Sequence, residues 1–187
     1  MTGQKIKIFL RPFLIGKRRA ERLFPFNMKQ FAFICLTWFM MSSASADTVF
    51  GICTYGKQTV SGIVCYGPAI LKETAIIGPV KIVGPLTARN ISANSMTVEG
   101  AVDMQDSNVN GAVIITGKFQ AKKVRFQHNL NITSDNILLN KVNVNGDITI
   151  NSATSKPVLR LECGSVVMGG VTFVGAPGIV QITDDSQ

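Results

Sequence analysis

An all-β fold, a single-stranded parallel β-helix of about six turns, is what this 187-residue sequence predicts. Three observations carry that expectation. After residue 46, Val and Ile number 33 against 7 Leu, with 12 Thr beside them, a composition that favours strands over helices. From Met96 onward, apolar and polar residues alternate in short runs, as in strands with one buried face. Glycines recur at nearly constant wide intervals: Gly56, Gly78 and Gly100 lie 22 apart, and Gly146 and Gly169 lie 23 apart. Fixed periods of roughly 20 to 50 residues point to stacked coils.

The chain opens with a segment unlike the rest. Eight basic residues against Glu21 alone make the first 46 residues +7, whereas eleven basic against ten acidic residues make the remainder +1. The overall charge of +8 therefore gives no ground for nucleic-acid binding by the body. Met28-Lys29-Gln30, the apolar run from Phe31 to Met41 and the small residues up to Ala46 have the three parts of a secretory signal peptide. Cleavage is expected between Ala46 and Asp47. The apolar run is shorter than the ~20 residues a bilayer requires, so no stable membrane span is expected after cleavage. Residues 1–27 read as a basic leader, with Met28 as an alternative start that gives a signal peptide of ordinary proportions.

Residues 47–75 read as an N-terminal cap stapled by a disulfide between Cys53 and Cys65, in keeping with an exported chain. Closing so short a loop contributes ~3 kcal/mol in the chain-entropy account. Cys163 follows Leu159 and Leu161 at alternate positions, which places it in an inward row as a buried thiol.

Residues 76–183 are the expected solenoid, followed by a polar tail at 184–187. The runs Met96 to Met104, Val109 to Ile115 and Val142 to Ile150 each carry a mid-row glycine, marking a bend or a close backbone approach. On the wide period, Gly78, Gly100, Gly146 and Gly169 are structural glycines at like places in successive turns. Asn and Gly suit the corners, because both tolerate left-handed backbone, and stacked Asn side chains can hydrogen-bond between turns. An antiparallel β-sandwich is the alternative, since Gly67 to Gly78 and Gly100 to Gly111 are each 11 apart.

The alternating turns Val98 to Val102 and Val109 to Val113, each with a central glycine, resemble the bactofilin-like class of short, polymer-forming parallel β-helices. The resemblance covers about residues 76–182 and is one of pattern. It implies a compact β-helix able to assemble with copies of itself. The signal peptide and paired cysteines depart from that class and imply an exported form.

Little in the sequence announces catalysis. His128 is the only histidine and lacks nucleophile motifs around it, while the cysteine spacing fits no Cys-x-x-Cys metal site, so neither a metal nor another cofactor is expected. Asp103 and Asp106 are the candidates for a carbohydrate site, because a carboxylate pair at suitable separation can cleave a glycosidic bond. The resulting expectation is a non-catalytic structural or interaction module of the periplasm, cell surface or extracellular space, with another copy or an envelope component as partner. A small carbohydrate-binding or carbohydrate-active protein is the alternative.

Overall fold

A computed structural model describes residues 46–152 and 156–183. The leader, nearly all of the signal peptide and the polar tail lie outside the described residues. The body is a parallel β-solenoid of about eight turns with three strand-bearing faces. Every strand pairing is parallel, which removes the sandwich alternative.

The chain visits the faces in fixed order. On the first turn, face one carries Asp47–Phe50, face two Cys53–Tyr55 and face three Gln58–Val60. Ile63–Tyr66 then returns to face one and pairs with Asp47–Phe50. The strands Thr74–Val83 and Ser92–Glu99 each run from face three into face one, joining these faces in one 13-stranded hydrogen-bonded network. Face two is a separate eight-stranded ladder that ends on Ile179–Ile182.

The coil is shorter than the wide glycine interval suggests. Asp47, Ile63, Val80, Met96, Val113, Leu130 and Ile148 are successive partners on face one, and each step between them is well below the wide glycine interval. Side-chain bonds between neighbouring turns show the same shorter step, 16 from Arg89 to Gln105 and 18 from Gln127 to Asn145. The late turn is longer: Ile148 and its partner Val171 are 23 apart, as are Asn143 and Val166 on face three and the bonded pair Asp147 and Gly170. That turn is longer because more chain separates Asn151 from Val158 than separates the same faces elsewhere, and because Cys163-Gly164 replaces the single residue Lys141 at another corner. Shorter coils explain why the chain completes eight turns rather than six. The expected boundary at residue 75 falls inside the strand Thr74–Val83, and residues 47–75 pair in the same ladders as the rest. They are the first turns of the solenoid rather than a separate cap.

Two corner rows make the short coil possible. Gly51, Gly67, Gly84, Gly100 and Gly117 follow one another turn by turn between faces one and two, all with positive φ. A Cβ at Gly84 would run into the carbonyl of Gly67 one turn away, so these glycines also permit the close stacking of backbones. The corner between faces two and three uses other residues: Glu73, Asn90, Asp106, Lys123, Lys141 and Cys163 have φ between 47 and 54°. Gly78, Gly146 and Gly169 belong to a third corner, each against backbone of the preceding turn. Gly100 therefore does not share their row, and the wide interval linking it to Gly78 has no structural counterpart.

The core is a stack of inward side chains. One column on face two reads Tyr55, Leu71, Ala88, Met104, Ala121, Leu139, Leu161 and Ile182. Alanines set between larger residues let neighbouring turns fill a common interior. Phe119 and Phe126 meet edge to face across the corner between faces two and three, with centroids 6.1 Å apart.

Candidate functional site

The sequence-derived residues fall in separate places. Cys53 and Cys65 form a disulfide with Cα atoms 6.2 Å apart. It links face two of the first turn to face one of the second, and both residues are buried in the core. Ala46 directly precedes the first strand, which begins at Asp47. The Asp47 carboxylate accepts a 2.9 Å hydrogen bond from the Tyr55 hydroxyl. Burial first, and then this carboxylate, push the Tyr55 phenol up to about 12.

Asp103 and Asp106 do not form one site. Asp103 points outward on face two and lies 3.9 Å from Arg89, whereas Asp106 occupies the next corner, 3.8 Å from Lys123. Each carboxylate is about half exposed and has its own cation. His128 is exposed, with Nδ1 2.8 Å from the Gln127 carbonyl. Cys163 stands at a left-handed corner, half-buried, with its Sγ accepting a 3.4 Å hydrogen bond from Asn140 Nδ2. The inward row instead continues from Leu159 and Leu161 to the end of the strand, and the chain turns before Cys163. Among the described residues no cluster of His, Cys, Asp or Glu is arranged to hold a metal ion.

Two features escape the sequence because they arise only when the short turns are stacked. The first is the C-terminal end of the solenoid. Val180 and Ile182 lie over Leu159 and Leu161 in the inward columns, yet they are 40% and 65% exposed, with no later strand stacked on them among the described residues. Among the described residues, the strand Ile179–Ile182 is paired on one side only. The alternating bonds from Ile179 N to Pro157 O and from Thr183 N to Leu161 O leave the Val180 and Ile182 amides facing the open edge.

The second is a groove of about 890 Å³ along the corner between faces two and three, from Lys57 to Asn143. Its floor includes the outward column Ser92, Asn108, Arg125 and Asn143, residues directly paired from turn to turn. Lys57, Lys123, Arg125 and Lys141 line it together with Glu73 and Asp106. Oδ1 of Asn108 and Oδ1 of Asn143 are buried without a hydrogen-bond partner. The register aligns these asparagines with Arg125, a column that the wide glycine period scatters.

No protein-family model, curated protein or solved structure matches the chain. Among the described residues no helix is long and apolar enough to cross a membrane.

Proposed function

We propose that the protein is an exported, non-catalytic structural module of the cell envelope or surface that assembles with copies of itself through the open end of its solenoid. The exposed inward pair Val180 and Ile182, on a strand with one unpaired edge, is the observation that carries this reading. Such an edge offers unpaired amides and carbonyls together with apolar side chains, a surface suited to another strand. The first turn supplies a matching edge: Asp47–Phe50, Cys53–Tyr55 and Gln58–Val60 each pair on one side only among the described residues. A last turn docking on a first turn is a heterologous contact, which propagates as a filament unless its rotation closes a ring.

Export is supported by the signal-like segment ending at Ala46 and by the buried disulfide, which suits an oxidising compartment. Cleavage after Ala46 leaves every described strand intact, because the first begins at Asp47. Light scattering of the exported protein across a concentration series tests the assembly reading. A mass that rises with concentration, and falls to that of one chain in Ile182→Lys, is expected. A single-chain mass at every concentration would overturn it.

A further inference from the structure

The groove between faces two and three has a chemistry that end-to-end assembly does not use. Arg125 is exposed and makes no side-chain hydrogen bond or ion pair among the described residues, and neither does Lys141; Lys123 is the cation engaged with Asp106. On either side of Arg125 in the same column lie two carboxamide oxygens without donors. A buried acceptor left unpaired is costly, and a ligand donor that reached it would relieve that cost. Unsatisfied acceptors beside free cations call for a molecule that brings hydroxyl donors and negative charges together.

We propose that this groove binds an acidic glycan, with carboxylates against Arg125 and Lys141 and hydroxyls donating to Oδ1 of Asn108 and Asn143. Arg125 is paired between the two asparagines in the ladder, so a ligand carboxylate held on its guanidinium brings the neighbouring sugar hydroxyls beside both carboxamides. A guanidinium suits the planar, two-oxygen face of a carboxylate, and the lysine adds a second positive charge one turn away. From Lys57 on the first turn to Asn143 on the sixth, the groove spans five steps of the ladder, about 24 Å at ~4.8 Å per step. That length accepts several sugar rings in line. A nucleic-acid strand fits less well: no aromatic side chain lines the groove to stack on bases, and Glu73 and Asp106 oppose a continuous row of phosphates.

Calorimetric titration of the protein with oligogalacturonate, neutral dextran and oligothymidylate tests the proposal. Saturable binding of oligogalacturonate is expected, at least tenfold tighter than that of the other two. Arg125→Gln and Asn143→Leu should each weaken it at least tenfold, while Lys72→Gln on face two leaves it unchanged. Lys141→Gln is the second charge-removing variant, and circular dichroism verifies that each variant retains the β fold. Absence of saturation, equal affinity for oligothymidylate, or unchanged binding by folded Arg125→Gln and Lys141→Gln would overturn the proposal. Because these residues lie on a side face, the outcome is read independently of whether the solenoid ends assemble.

Discussion

Tyr55 gives the first turn a specific response to pH. Its phenol loses a proton near 10.0 when unfolded and near 12 when folded, through burial first and the Asp47 carboxylate second. Between these values the folded state holds a proton that the unfolded state has released, so stability falls as pH rises. The contribution is fully present below pH 10 and is lost through pH 10–12. Absorbance titration should therefore show one of the two tyrosines ionising late, with denaturation midpoints dropping across the same window. Asp47→Asn should lower the late value but leave it above 10, because burial, the larger cause, remains. Glycines supply a second residue-scale prediction. Gly84→Ala combines φ of +146° with a Cβ pressed against Gly67 and should cost about 1–3 kcal/mol in urea unfolding. Gly56→Ala, with nothing within 4 Å of its Cβ, should change stability by no more than about 0.5 kcal/mol.

At the scale of strands and corners, the disulfide joins two turns whose inward residues already touch in the core. Replacing Cys53 and Cys65 together by Ala should cost about 3 kcal/mol. The loss should concentrate in the first two turns, because a solenoid couples mainly neighbouring repeats. Hydrogen exchange would show this as faster exchange at residues 47–66 than at 113–133. Strand character is legible in the sequence because β-branched residues and alternation report burial directly. Coil length is not. Five of the six left-handed residues at the corner between faces two and three are Glu, Asn, Asp or Lys, and the sixth is Cys163, so no residue type marks that row. The informative glycine series is Gly67, Gly84, Gly100 and Gly117, one per turn, but Gly56 and Gly78 supply a competing interval. Cys163 is misplaced for a related reason: alternation continues through Leu161, and the left-handed turn that ends it has no sequence signature in cysteine.

For the whole molecule, a parallel β-helix, a core disulfide and a charge-segregated leader can be read from the residues in order, while the groove and the open end require the stacking register. Asn108, Arg125 and Asn143 look unrelated along the chain and become neighbours only at the shorter period. Val180 and Ile182 look like ordinary core residues until the ladder is seen to stop on them. In the proposed assembly, this last strand is the contact through which one copy adds to another. Hydrogen–deuterium exchange of the Val180 and Ile182 amides at low and high protein concentration probes that contact at the atoms involved. Both amides face the open edge, so they should exchange rapidly in dilute solution and become protected as concentration rises, while amides in 113–116 and 130–133 stay unchanged. Rapid exchange of both amides in a preparation that light scattering shows to be assembled would contradict an end-to-end contact.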